Sequence, residues 1–554
     1  MPPLNNLQRS CLSLAVGHAL IASPALQAAT ITVNSIGDGP VGDISGCTLR
    51  EAIVSTNTQT LQGGCTMTGA GALDTINFAL PASSTIVLSE GELEISRIVS
   101  ITGPGETQLS IDAQDDSRIF FVNGDFAGTD GTSISGLTLT NGRSDSQGGA
   151  VYVNATASFT LSNSTISDSY SELGGGGIYV ENSPSASILN STISGNSSDG
   201  YGGGIGVDIS RGSRIDNVTV SNNSSYSGGG IYIDESDSST LSNSTISGNS
   251  SGFSGGGVYF DQSDYGEISD LIISDNVAEY YGGGLYVFGD STSLSSSTIT
   301  NNRTANDGGG LSWYGVDGTI DNIAVTGNSA SDFGGGIYLN SVNNLSIVGS
   351  TISNNSASRD GGGIFIRDSD SVTMVNSTLS TNVAGSGGGG LLSDDDSSVA
   401  LLGVTINDNT AVSQSGGGIF AGSVSSVILG VNNVVANSVG GDCNITVLNA
   451  AYNWIGDNSC LATPVVALSG DPMLGPLQDN GGPTLTHAPL PGSGLIDAST
   501  NCGNATIGGV DQRGEPRGTS TCFIGSVEGV QEAEAEVNFF VIPLDNGRSV
   551  VIPL

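Results

Sequence analysis

Four acids recur at one phase of this sequence: Glu181, Asp208, Asp234 and Asp261, spaced 26 or 27 residues apart. If the repeat stacks them about 4.8 Å apart, neighbouring charges repel by roughly 1 kcal/mol even in water. Carboxylate oxygens are calcium ligands, so the column is a candidate calcium site; solvated, salt-screened acids are the competing reading. A second recurring feature is an aromatic residue one position after an aliphatic: Tyr152, Tyr179, Tyr232, Tyr259, Tyr286, Tyr338, Phe365 and Phe420. Such a stripe could grip a glycan or a protein partner, with Tyr179, Tyr232, Tyr259 and Tyr286 as its centre; simple stacking between repeats that covers the sheet is the stronger reading. Catalysis is the third chemistry to weigh. A lyase acting on acidic polysaccharide needs a Lys or Arg base, and a hydrolase needs clustered carboxylates. The chain has no lysine, and the arginines of the repeat region (Arg211, Arg214, Arg303, Arg359, Arg367) are scattered. The Gly-His-Gly and Arg-Ile-Lys motifs of polygalacturonases are absent, and a strongly anionic chain would repel a polyuronate.

Whatever these residues do, a repeat positions them. The aliphatic after each glycine run forms the series Val151, Ile178, Ile205, Ile231, Val258, Leu285, Leu311, Ile337, Ile364, Leu391 and Ile419, every step being 26 to 28 residues. A second aliphatic series runs in phase from Ile166 to Val434 through the "STIS"-like segments. A third precedes it by five residues throughout, from Leu161 to Leu429. Three registers holding phase over about 270 residues mark a solenoid. Short alternating runs such as Ile231-Tyr232-Ile233 are strands, Gly/Ser/Asn/Asp clusters between them are turns, and no 3.6-residue stripe appears. Each repeat is therefore one coil of an all-β parallel helix, with the aliphatics pointing inward and the aromatics outward.

From Ile193 on, an asparagine follows the "STIS" aliphatic by three in ten consecutive coils: Asn196, Asn223, Asn249, Asn276, Asn302, Asn328, Asn355, Asn382, Asn409 and Asn437. One amide at one turn of every coil predicts an internal ladder; N-glycosylation at sequons such as Asn243-Ser-Thr is the functional alternative. The glycine runs lack the lysine and following helix of a phosphate loop. They are explained by positive φ or close backbone approach.

The charge balance is 53 acids against 13 basic residues, net −40, which disfavours nucleic acid and anionic membrane as partners. Arg9, the apolar run "LSLAVGHALIASPALQAA" and small residues at Ala28 and Ala29 read as a secretory signal over 1–28. No other segment is long and apolar enough to span a bilayer as a helix. Six cysteines then remain, in three local pairs: Cys47–Cys65, Cys443–Cys460 and Cys502–Cys522. An even count in an exported chain suggests disulfides, though spacing alone cannot fix the connectivity. Zinc is the weaker option, with no CxxC and one remaining histidine, His487. "CTLREAIVSTNT" is the best short helix and reads as a cap on the open end of the solenoid. The tail carries two copies of Val-Ile-Pro-Leu around Asp545-Asn546-Gly547, a hairpin signal. It reads either as a sorting or docking element or as a strand pair packed on the body.

"CTLREAI" at Cys47–Ile53 resembles the N-terminal motif of the CSLREA class of exported bacterial β-helix proteins. The pairing of Gly-Gly-Gly-aliphatic with aliphatic-x-x-Asn is similar to the repeats of polymorphic outer membrane proteins. "GDPMLGPLQDNGGPTLTHAPLPGSGLIDAS", with "DQRGEPR" and "IGSVE", resembles the choice-of-anchor module that follows such helices. The resemblance implies a right-handed parallel β-helix at a bacterial surface, associated with the outer membrane. The domain reading is a signal at 1–28, a cap at 29–72, the β-helix at 73–460, an anchor-like module at 461–529 and an acidic linker with hairpin at 530–554. The expected function is a secreted or cell-surface protein with an adhesive or structural role, not an enzyme; the alternative is a polysaccharide-active lyase or hydrolase. No cofactor beyond calcium is expected. Expected partners are a glycan or a host or cell-surface protein, and a separate outer-membrane export or anchoring partner.

Overall fold

The computed structural model describes residues 29–530 except 43–44, 70–72, 125–130, 157, 414, 445–447, 450–451, 458, 461–466 and 503–506, together with strands Phe539–Pro543 and Ser549–Pro553. The expected signal at 1–28, most of the acidic linker and the Asp545-Asn546-Gly547 turn lie outside the described residues.

One coil shows how the repeat folds. Ile178–Glu181, Ser187–Leu189, Thr192–Ser194 and Ser197–Ser198 are strands. Each pairs in parallel with its equivalent one coil on, Ile178 with Ile205, Ile188 with Ile215, Ile193 with Val220 and Ser197 with Ser224. We call the four resulting parallel sheets faces one to four in that order. Alternation sends Ile178, Val180, Ile188 and Ile193 inward, where none is more than 2% exposed. These columns merge into one continuous apolar core. The corners explain the Asn, Asp and Gly clusters. Asn163, Asn190, Asn217 and Asn243 turn from face two to face three with φ between 49° and 53°. That left-handed conformation is tolerated by Asn better than by most side chains. Large and small residues alternate inside: a Cβ on Gly266 would lie 2.3 Å from the ring of Phe260, and one on Gly318 2.9 Å from Trp313.

The asparagine ladder runs unbroken from Asn196 to Asn409, each member at most 1% exposed. In each step Nδ2 donates to Oδ1 of the next asparagine, as Asn223 does to Asn249 at 3.0 Å. Asn437 is not part of it. The corner before Val434 holds one residue more than its neighbours, so Val435 aligns with Ile406 and Val434 with Thr405. The ladder position falls on Ser438, while Asn437 is exposed and donates to Asn407 Oδ1 at 2.9 Å.

All three expected disulfides are formed. Helix α1, Leu49–Thr58, begins with a capping box between Thr48 and Glu51. It buries Leu49, Ala52 and Ile53 in the core beside strands Ala29–Val33, Leu73–Phe78 and Leu93–Ile95. Ala29–Val33 itself pairs in parallel with Leu73–Phe78, so coil stacking starts ahead of the helix. Arg50 grips Asp38 through two nitrogens at 2.7 and 3.0 Å and donates to the carbonyls of Gly91 and Glu92.

Beyond Ala467–Ser469, the last strand on face three, the chain turns back along that face. The returning segment holds an antiparallel pair, Leu474–Gln478 with Thr486–Pro489, and the Cys502–Cys522 disulfide. Its contacts with the coils are buried and of two kinds: Leu495 and Ile524 pack on Val434, Ala436 and Trp454, and Ile507 packs on Val375 and Val431, while hydrogen bonds join the polar groups between them. Thr378 Oγ1 donates to Gln512 Oε1 at 2.7 Å, Gln512 Nε2 donates to Thr351 Oγ1 at 2.9 Å, and Asn376 Nδ2 donates to the carbonyls of Ile507 and Val510 at 3.0 Å. His487 is held between Gly475 O, 2.7 Å from Nδ1, and Ser380 Oγ, 2.8 Å from Nε2. A carbonyl only accepts, so the proton is on Nδ1 and Nε2 accepts from the serine.

Burial lowers the His487 pKa below its usual value. A depressed histidine stabilises the fold while neutral, and that contribution is lost as pH falls below about 6.5. Acidification is therefore expected to loosen this segment before the coils. Protection of residues 471–529 against hydrogen exchange, taken relative to the intrinsic rate, should fall as pH drops below about 6.5, and a His487→Gln variant should lose that step.

Candidate functional site

Face one carries both outward features read from the sequence, and it brings them together. In strands such as Ile231–Asp234 and Val258–Asp261 the aromatic and the acid are two residues apart and so project from the same side. Glu181, Asp208, Asp234 and Asp261 stand in one register. Each accepts a tyrosine hydroxyl: Tyr152 donates to Glu181, Tyr179 to Asp208 at 3.1 Å, Tyr232 to Asp234 at 2.7 Å and Tyr259 to Asp261 at 2.9 Å. Like-charge repulsion along the column is thus eased by hydroxyl donors. Among the described residues no group of three or more His, Cys, Asp or Glu is arranged to hold a metal ion. The carboxylates stand in single file, one per coil, and do not converge on a common point.

The rings form a wall. Tyr232 and Tyr259 stack at 5.3 Å between centroids, and Tyr259 and Tyr286 at 4.6 Å. Three coils lack an aromatic at this position, at Gly206, Ser312 and Leu392, and the first two gaps are filled from neighbouring positions. Gly206 leaves room for the Tyr179 ring, which would lie 2.3 Å from a Cβ there, and Tyr201 stacks on Tyr232 at 4.9 Å. At Ser312 the ring comes from Tyr314, 5.4 Å from Tyr286 and 6.3 Å from Tyr338. Arg118 closes one end, over both Phe121 and Tyr152. The stripe does face outward from the core, but Tyr179 is 5% and Tyr232 6% exposed, while Tyr259 and Tyr286 are half-buried. It is a covered layer, not an open platform.

The electrostatics follow from that cover. Burial pushes the Asp208 carboxyl up to about 6, with the Asp234 and Glu181 charges adding to the rise and the Tyr179 hydroxyl opposing it. Burial also raises Asp261 and the hydroxyls of Tyr179, Tyr232, Tyr259 and Tyr286. A raised carboxyl favours the fold below its unfolded pKa, an advantage lost as pH rises through about 6 for Asp208. Tyr179→Phe removes the donor, so the Asp208 titration read by NMR should move above that value; a downward move would contradict the arrangement.

A second ring stack was not anticipated. Tyr226, Phe253 and Tyr280, at the corner between faces four and one, lie 5.4 and 5.3 Å apart, with Tyr226 50% and Tyr280 48% exposed. Its signal was present in the sequence as an aromatic two residues before three successive glycine runs. Among the coil arginines, Arg211, Arg214, Arg359 and Arg367 pair with Asp237, Asp216, Asp332 and Asp395.

The repeat region from Ile119 to Cys460 matches the family model described as right handed beta helix region, in two overlapping spans, residues 119–295 and 256–460. The chain belongs to the right-handed β-helix family. No curated protein matches this β-helix. Solved structures similar to it include the A-module of the Azotobacter vinelandii mannuronan C-5 epimerase AlgE4, 12% identical over 76% of this chain and 94% of that one, with a TM-score of 0.32. The Dettilon tailspike protein is 11% identical over 76% of this chain and 68% of its own, TM-score 0.31. PfbA, a surface adhesin of Streptococcus pneumoniae, is 10% identical over 66% of this chain and 85% of its own, TM-score 0.29. Likeness at this level carries no functional argument. No helix among the described residues is long and apolar enough to cross a membrane.

Proposed function

We propose that this β-helix is an exported, surface-associated binding protein with an adhesive or structural role and no catalytic activity. The observation that carries the reading is the closed tyrosine–carboxylate wall of face one. Its acids, the groups a polysaccharide hydrolase would need free, are hydrogen-bonded by tyrosine hydroxyls. Three disulfides support an oxidising, extracellular location. The CSLREA-like motif and the anchor-like C-terminal segment support placement at an outer membrane through a partner.

The enzyme reading rests on one cluster. Asp307, 7% exposed, is pushed up to about 6 by burial and lies near the charge of Arg367. Tyr338, pushed up to about 12, lies beside the same arginine and accepts from Asn340 Nδ2 at 3.0 Å. The two readings separate in one experiment. The full chain is applied to immobilised neutral, amino and uronate glycans, beside an assay for release of new chain ends. Saturable retention without release is expected. Turnover that disappears in Arg367→Ala would replace the binding role with an enzymatic one.

A further inference from the structure

Most coils pass from face two to face three through two residues, such as Asn163-Ser164. One early coil departs from this. Between Ser100–Thr102 and Leu109–Asp112 its corner holds six, Gly103 to Gln108. This loop reaches along the rod over the corners of later coils. Its Glu106 is tied down twice: the backbone carbonyl accepts from Thr138 Oγ1 at 2.8 Å, and Oε2 accepts from Thr165 Oγ1 at 2.9 Å. Against the loop lies an open cleft of about 520 Å³, bounded by the loop itself, by Ser135 and Gly136, and by Asn163 and Asn190. That volume falls in the range of small-molecule sites, roughly 300–1,000 Å³.

The lining has one chemistry. Hydroxyls come from Thr102, Thr107 and Ser135, and amides from Asn163 and Asn190; Glu106 is the one ionisable side chain. Asn163 and Asn190 are exposed, and left-handed corners hold them outward. Asn190 Oδ1 accepts from Asn217 Nδ2 at 2.8 Å, which leaves its Nδ2 for a ligand. Paired donors and acceptors on amides and hydroxyls complement a polyol, in which every hydroxyl both donates and accepts. The Glu106 carboxylate and a net charge of −40 oppose an anionic ligand. The loop, fixed across the corner by both Glu106 bonds, is preorganised and loses little freedom on binding.

We propose that this open cleft is a binding site for a neutral oligosaccharide, with Asn163 and Asn190 as its specificity amides. The proposal rests on the binding role argued above and gives it a seat. The full chain is titrated calorimetrically with cello-, laminari- and maltohexaose, and with galacturonate and glucosamine hexamers. Asn163→Gly and Asn190→Gly are measured in parallel. Glycine suits the left-handed corner, so both variants should keep the wild-type melting temperature. Binding of at least one neutral hexamer, weakened about tenfold or more in each variant, is the expected result. The site is overturned if no neutral hexamer binds, if a charged hexamer binds more tightly, or if both variants bind as wild type does. In the last case, retention of immobilised glycans by wild type and variants alike would keep the binding role and place its seat elsewhere.

Discussion

Asn249→Ala is expected to cost about 3 kcal/mol or more, a large effect for a single uncharged side chain. The amide of Asn249 makes four hydrogen bonds. Its Oδ1 accepts from the backbone N–H of Asn223 at 2.9 Å and from Asn223 Nδ2 at 3.0 Å. Its Nδ2 donates to the carbonyl of Val220 at 3.1 Å and to Asn276 Oδ1 at 3.0 Å. Asn223, Asn249 and Asn276 are all buried, so water cannot take over those bonds. Alanine would strand a backbone donor, a backbone acceptor and parts of two neighbouring amides, each at roughly 1–3 kcal/mol before relaxation. Each coil of a solenoid touches only its neighbours, so the loss should be local first. Hydrogen exchange should speed up around residues 220–276, with a lowered urea midpoint. Asn437→Ala is the matched control, an exposed asparagine of the same sequence series that the extra corner residue takes out of the ladder. Equal losses in the two variants would mean that the ladder bonds contribute nothing specific.

The contrast between Asn249 and Asn437 also shows how far the sequence could be read. Period, strand type and the inward columns were legible because a buried aliphatic at a fixed phase has one structural cause, and Ile178, Ile193 and their equivalents lie where that logic puts them. A single inserted residue at a corner leaves no such mark, because Val434 and Val435 are both aliphatic and either satisfies the pattern. The outward face was harder still. Tyr179 and Asp208 were each visible as a series, but their hydrogen bond joins residues 29 apart and depends on which way each side chain leans across the coil boundary.

The fold-back of the C-terminal segment was hidden for a different reason. Thr351, Thr378 and Thr405 are buried beneath it, whereas Thr192 and Thr245 at the same register are half-exposed. The residue type is the same in both settings, since a threonine hydroxyl serves water and a buried glutamine equally well. The one trace lies at the corner. Gly403 stands where Asn243 stands upstream, and a Cβ there would come within 3.3 Å of Arg517 Nη2.

Gly256→Ala should be at least as damaging, also about 3 kcal/mol or more, through a purely steric route. A Cβ at Gly256 would sit 2.3 Å from the carbonyl oxygen of Gly283 and 2.5 Å from that of Val277. Both obstacles are backbone atoms of the following coil, so no rotamer change relieves the clash. The same contact recurs one coil back, where a Cβ on Gly229 would lie 2.4 Å from the carbonyl oxygen of Gly256. A coil that moved away to admit a methyl group would therefore disturb stacking on both of its sides. The other members of the run have different reasons to be glycine. Gly255 holds φ at 65°, and a Cβ on Gly257 would meet Gly284 O at 2.7 Å and the Asn276 amide at 3.0 Å. Gly252 lies in the same coil with nothing within 4 Å of its Cβ position, so Gly252→Ala should leave the melting temperature within about a degree or two of wild type. Gly256→Ala should instead lower it by several degrees and expose the amides of Gly255–Val258 to exchange. If the two alanine variants melt together, the coils are not held at the separation that the carbonyl contacts require, and the run would need a cause other than close approach.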